Sequence, residues 1–185
     1  SQKVAPPHAI NPWVADGPGA PLQSVDPLRN LTAAPAGASD DPHLLNLGAL
    51  MSAAQLIGLA DAMLSQAVEY AKIRTQFGQP IGRFQGLKHQ LAHMALDVEP
   101  SRAQVWYAAY AWDAALPDAP RAAAMAKAHL CEVYTRTTRA AIAAHGGIGY
   151  TWEYGLNYWF RRSVHNRAWL GSPASHRARA AELAG

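Results

Sequence analysis

Apolar residues recur at mixed three- and four-residue spacing through Leu44, Leu47, Met51, Ala54, Leu56, Leu59, Met63 and Val68, which predicts one long helix ending near Ile73. Asp41-Pro42 marks its start, because the Asp carboxylate can accept from orphan amides and proline suits the first helical position. Gly78, Pro80 and Gly82 interrupt the pattern. A second stripe, Leu87, Leu91, Met94, Val98, Val105, Ala109 and Trp112, predicts a helix from Phe84 to about Leu116. Pro100 lies inside it, removes one backbone hydrogen bond and predicts a kink near Asp97. After a turn at Pro117, Asp118 and Pro120, an Ala-rich helix runs to about His145, where Gly146-Gly147 stops it. Thr151 offers an N-cap for a shorter helix over residues 152–169, and Pro173 breaks the chain before a last helix over residues 175–183.

Ahead of Asp41 the periodicity is lost. Pro6-Pro7, Gly17-Pro18-Gly19 and Pro35-Ala36-Gly37 forbid a long helix, so residues 1–41 are expected to be loop or short strand. Residues 42–185 are expected to form an all-α domain, an antiparallel helical bundle. No strand-turn-helix unit supports a dinucleotide fold of the parallel-sheet kind.

Composition changes this picture little. Half of the 185 residues are hydrophobic, with alanine prominent, which suits close helix packing. The net charge of +3 is spread among acidic residues and forms no basic run, so nucleic-acid binding is not expected. A single cysteine, Cys131, excludes an internal disulfide and a multi-thiolate metal site, and its Ala-rich surroundings read as a buried, inert thiol. No charged and apolar leader opens the sequence, and no apolar run is expected to span a bilayer, so a cytoplasmic protein follows by default.

Two helix junctions carry candidate chemistry. The first runs Arg74-Thr75-Gln76-Phe77-Gly78-Gln79-Pro80-Ile81-Gly82-Arg83-Phe84-Gln85. One reading is an interhelical loop whose glycines make turns and whose Phe77, Ile81 and Phe84 anchor it to the core, and composition alone favours that. The other presents Arg74 as a planar cation to a phosphate, beside exposed amides and Gln85 at a helix start. The second junction, His145-Gly146-Gly147-Ile148-Gly149-Tyr150, is either a helix C-cap or a place where missing side chains let backbone approach a ligand. His89 and His93 lie four apart, a spacing that can bind zinc, but no acidic partner falls between them and no metal site is expected. Tyr150, Trp152, Tyr154, Tyr158, Trp159 and Trp169 form an aromatic zone that suits bundle or subunit-interface packing.

The two loops, in this order, resemble the C-terminal helical domain of acyl-CoA dehydrogenases, which are FAD enzymes. The resemblance covers Leu44 to about Ala181, and Ser24-Val25-Asp26-Pro27-Leu28-Arg29-Asn30-Leu31 is similar to the end of that family's middle β-domain. It implies that residues 1–41 are a remnant of that β-domain. It also implies cofactor contacts from Arg74, Phe77, Phe84 and Gln85, where the matching Arg, Phe and Gln meet the FAD of a neighbouring subunit, and from Gly146, Gly147 and Ser172. A flavin-contacting Gln of the family is Ala143 here. The catalytic base, a Glu in a Tyr-Glu-Gly-Thr string, is replaced by Leu170 in Trp169-Leu170-Gly171-Ser172. The minority position for that base falls at Gly48, and an Arg that meets CoA falls at Ala49. No catalytic residue is therefore assigned. The implied protein resembles the degenerate subunits of bacterial hetero-oligomeric, steroid-degrading members. Its expected companions are FAD, an acyl-CoA substrate, homo- or hetero-oligomeric partners of the same type and an electron-acceptor flavoprotein. Two alternatives stand beside it: an active dehydrogenase with an unusual base, and an interaction bundle without cofactor.

Overall fold

A computed structural model describes residues 21–32 and 41–185 of the chain. Expectations for residues 1–20 and 33–40 lie outside the described residues. The elements in order are β1 (Pro21–Leu22), β2 (Leu31–Thr32), α1 (Pro42–Ile73), β3 (Thr75–Gln76), β4 (Gln79–Pro80), α2 (Gln85–Asp113), α3 (Ala119–His145), α4 (Leu156–Ala168) and α5 (Pro173–Glu182). Short 3₁₀ turns fill Ile81–Arg83 and Gly146–Tyr150. The fold is the expected all-α antiparallel bundle.

Asp41 caps α1, its carboxylate accepting from the His43 amide at 2.8 Å, with Pro42 in the first turn. The face of α1 that is buried differs in part from the stripe expected: Leu56 and Met63 are fully buried with Ala53, Ala60 and Ala67, whereas Met51 and Ala54 are exposed. The small residues decide the face, because alanines let α3 approach closely. α1 also corrects an expectation about membranes. An 18-residue window within it has a mean hydropathy of 1.5, enough by length and composition to cross a bilayer, and 44% of that window is buried, with α1 packed on α2 and α3.

α3 is the central element and packs against α1, α2, α4 and α5. Burial on nearly all sides explains its alanine content and its buried Leu130, Val133 and Tyr134. α2 continues through Pro100, and the adjacent Ser101 hydroxyl donates to the Asp97 carbonyl at 2.6 Å. Cys131 is buried as expected, and burial pushes its thiol pKa up.

Two helix boundaries differ from expectation. α4 starts at Leu156, because the Thr151 hydroxyl is used in a local turn, donating to the Ile148 carbonyl and accepting from the Tyr154 amide. Gly155, left-handed at φ 82°, then redirects the chain into the helix. Pro173 does not interrupt but begins α5, with Ser172 as its N-cap accepting from the Ser175 amide at 3.1 Å.

The segment from Pro21 to Thr32 is held against α4. Asp26 is fully buried, accepts from the Leu28 amide and pairs with Arg162, while Arg161 donates to the Val25 carbonyl.

Candidate functional site

At the end of α1 the Arg74 amide still bonds to the Tyr70 carbonyl, but the residue itself is extended. The chain then makes the β3–β4 hairpin, closed by the Ile81 amide bonding to the Arg74 carbonyl at 2.8 Å. Its central residues, Phe77 and Gly78, both have positive φ, 51° and 78°. Positive φ at both positions favours Asn-Gly, and a bulky side chain there is strained. Phe77 is nevertheless 92% exposed, its ring touching only the edge of Phe84 at a centroid distance of 6.2 Å. The core-anchor reading of Phe77 is therefore corrected: this ring points to solvent. Phe84 is half-buried and Gln85 is exposed at the first residue of α2.

The second loop divides its glycines between two tasks. Gly146 ends α3 at φ 65° and ψ −144°, a conformation suited only to glycine, and a Cβ on Gly146 or Gly147 would meet nothing within 4 Å. These two therefore bare their backbone to an open space. A Cβ on Gly149, by contrast, would come within 2.6 Å of the Ile142 carbonyl oxygen, so this glycine serves packing.

The two loops meet in one cleft of about 440 Å³, lined by Arg74, Gln76 and Ile81 on one side and by Ala143, Gly146, Gly147 and Ile148 on the other. The Arg74 guanidinium is exposed and makes no hydrogen bond or ion pair among the described residues. Ala143, where the resembled family has a flavin-contacting glutamine, also lines this cleft. Phe77, Phe84, Gln85 and Ser172 do not line it. Ser172 lies at the start of α5, where its hydroxyl is committed to the cap.

Tyr70 and His145, which sequence reasoning did not single out, form part of the lining. Their rings stack at 4.3 Å, with Tyr154 against His145 at 5.0 Å. His145 Nδ1 lies 2.7 Å from the Ala141 carbonyl and so carries the proton, and burial lowers the imidazole pKa, keeping the ring neutral. A signal was available: Tyr70 stands one helical turn before Arg74, and His145 directly precedes the glycine pair.

Leu170 and Gly48, the two sequence positions considered for a base, come together. A Cβ on Gly48 would lie 2.9 Å from Leu170 Cδ1, so the leucine side chain occupies the space beside α1. Leu170 is itself left-handed at φ 58°, and its carbonyl accepts from His176 Nε2 at 2.7 Å. Neither position carries a titratable group.

His89 and His93 are exposed and share a groove of about 330 Å³ between α2 and α3 with Asp97, Arg136 and Thr137. Asp97 is already paired with Arg136 at 3.0 Å, and no group of three potential metal ligands occurs among the described residues. Of the aromatic zone, Tyr150, Trp152, Tyr154 and Tyr158 are exposed, with Arg161 stacked over Trp152 at 5.0 Å.

Residues 37–184 match the family described as acyl-CoA dehydrogenase, C-terminal domain. The Mycobacterium tuberculosis protein named acyl-CoA dehydrogenase IpdE2 is 35% identical over 157 residues, which are 83% of this chain and 48% of that protein. The chain thus spans about half the length of the curated relatives it matches first. Butyryl-CoA dehydrogenase from Megasphaera elsdenii superposes with a TM-score of 0.76 at 31% identity, over 84% of this chain and 40% of its own. A steroid ACAD solved as Tcur3481-Tcur3483 gives a TM-score of 0.73 at 30% identity, over 84% and 42%.

Proposed function

The chain belongs to the acyl-CoA dehydrogenase family, and from that premise we propose that it supplies part of an FAD site at a subunit interface, in the subunit that lacks the catalytic base. The reaction served is α,β-dehydrogenation of a fatty-acyl or steroid side-chain thioester, the steroid class being suggested by the steroid ACAD to which the chain is similar. The observation that carries this reading is the cleft lined both by Arg74, whose guanidinium has no hydrogen bond or ion pair among the described residues, and by the bare backbone of Gly146 and Gly147.

Those groups fit an anionic dinucleotide. A guanidinium left without a carboxylate offers a planar, permanently charged fork to phosphate oxygens. The glycine pair lets a ligand approach backbone without meeting side chains. Phe77 is held strained and exposed on the hairpin, and such strain at a solvent-facing aromatic is expected where the ring meets a partner or ligand. Phe84 and Gln85 extend that surface, and Ser172 belongs to the separate turn that also holds Leu170. When bound, FAD would supply a hydride acceptor for the thioester chain, with Arg74 and the Gly146–Gly147 backbone placed to hold it. This chain's residues hold and orient it.

The proton must go elsewhere. An α-proton is taken by a carboxylate held at that carbon, and Leu170 over Gly48 can accept none. A base from another subunit, an acyl-CoA substrate bound in the assembly and an electron-acceptor flavoprotein complete the proposal. Residues 42–185 are proposed as the domain that builds the half-site, and residues 1–41 as the remnant of the family's middle β-domain.

The test is Arg74→Ala in the complete assembly. A charge-assisted contact of about 1.5–3 kcal/mol predicts that FAD affinity falls roughly tenfold to a hundredfold. Full FAD occupancy in the variant, at limiting FAD, would mean that the half-site is vestigial.

A further inference from the structure

We propose that Lys127, at the centre of the bundle, is a positioning residue that fixes the turn carrying Leu170 and Ser172 against α1. The inference rests in part on the flavin reading proposed above, because the family resemblance counts Ser172, on that turn, among the cofactor contacts.

Lys127 is fully buried on α3. Its ammonium donates to Ser52 Oγ on α1 at 2.9 Å and to the Asn166 carbonyl on α4 at 2.8 Å. No carboxylate pairs with it among the described residues. Burying an unpaired cation is costly, and a methionine would fill the same volume without that cost. The lysine is therefore explained by the bonds it makes and not by packing. Burial pulls its pKa down, and the neighbouring Cys131 thiol offsets part of that effect.

The partners are placed in register with the locus above them. Ser52 lies one helical turn after Gly48 on α1, and Asn166 lies four residues before Leu170. Gly48 meets Leu170, and one turn deeper Ser52 and Asn166 meet through Lys127. Asn166 sits in the last turn of α4, where carbonyls lack helical partners and the helix end attracts a cation. Cys131 Sγ donates to the same carbonyl at 3.4 Å. The ammonium thus sets how far α4 advances along α1 before the chain turns at Leu170.

The experiment compares Lys127→Met and the milder Ser52→Ala in the full chain, with Val133→Ala, a fully buried position on the same helix, as a packing control. Hydrogen exchange is read at the Trp169 and Gly171 amides, which bond to the His165 and Ala168 carbonyls, and along α2. Lys127→Met should accelerate exchange at Trp169 and Gly171 at least tenfold while α2 stays unchanged. Ser52→Ala should act at the same two amides by a smaller factor, and Val133→Ala should accelerate them no more than it accelerates α2. Unchanged exchange there, or equal acceleration throughout the chain, overturns the proposal. In the complete assembly, Lys127→Met should also shift the flavin absorbance bands with Arg74 intact, and unshifted bands in an FAD-loaded variant overturn it too. If the unsubstituted assembly takes up no FAD, the half-site reading fails, while the exchange data still decide the role of Lys127.

Discussion

Gly48 and Leu170 meet across the bundle, and each explains the other's presence. Gly48 lies within α1, where glycine costs about 0.5–1 kcal/mol relative to alanine. Alanine there would press on Leu170 Cδ1, which can swing aside because it is the tip of a flexible side chain. Gly48→Ala alone should therefore be nearly neutral, the helical gain being offset by the displaced leucine. Once Leu170→Ala has opened the space, Gly48→Ala should stabilise by about 0.5–1 kcal/mol. A double-mutant cycle by urea unfolding measures the difference, and strict additivity would mean that the two side chains do not meet. This contact matters beyond stability. Two positions far apart in sequence, each considered for a base, converge on one place and fill it with hydrocarbon.

Among the elements, α5 links that place to pH. His176 on α5 donates from Nε2 to the Leu170 carbonyl, and burial lowers its pKa to about 4. Its Nδ1 is buried with no partner among the described residues, so protonation would place a charge that none of them receives. The unfolded chain binds this proton near the ordinary value of 6.5, whereas the folded chain resists it until about 4. The stabilisation is thus fully present above 6.5 and lost as pH falls toward 4. Between pH 7 and pH 5 the loss from this residue should be about 2 kcal/mol. Burial shifts His145 and His165 in the same direction. Urea midpoints should fall over that range, and His176→Asn should flatten the profile; an unchanged slope would remove His176 from the account. The elements also mark how far sequence reading reaches. α1, α2 and α3 were legible because each sustains its periodicity over many turns. The start of α4 was not, since the Thr151 hydroxyl can serve a turn as well as a cap and only the three-dimensional path selects one. The loop strings revealed Arg74 and the glycine pair, but Tyr70 and His145 join the cleft through stacking, which no spacing rule announces. Nor could periodicity predict a fully buried lysine on α3.

The molecule as a whole leaves large apolar side chains uncovered. Phe77, Leu96, Trp106, Tyr110 and Tyr150 are each more than half exposed, on several elements. The assembly proposed above would cover such side chains where they fall within one contiguous patch. Activity should follow the same division. The purified 185-residue chain is expected to show no turnover of saturated acyl-CoA thioesters with an artificial electron acceptor. Loss of a positioned general base costs ~10²–10⁴ in rate, and both places considered for it are hydrocarbon or bare. Thioester positioning adds a further factor when the walls facing this half-site come from another subunit. Adding the subunit that holds the base should restore turnover, and the restored rate should drop when this chain carries Arg74→Ala. Turnover by the chain alone would require a base that neither Gly48 nor Leu170 provides, and would overturn the division of labour proposed for it.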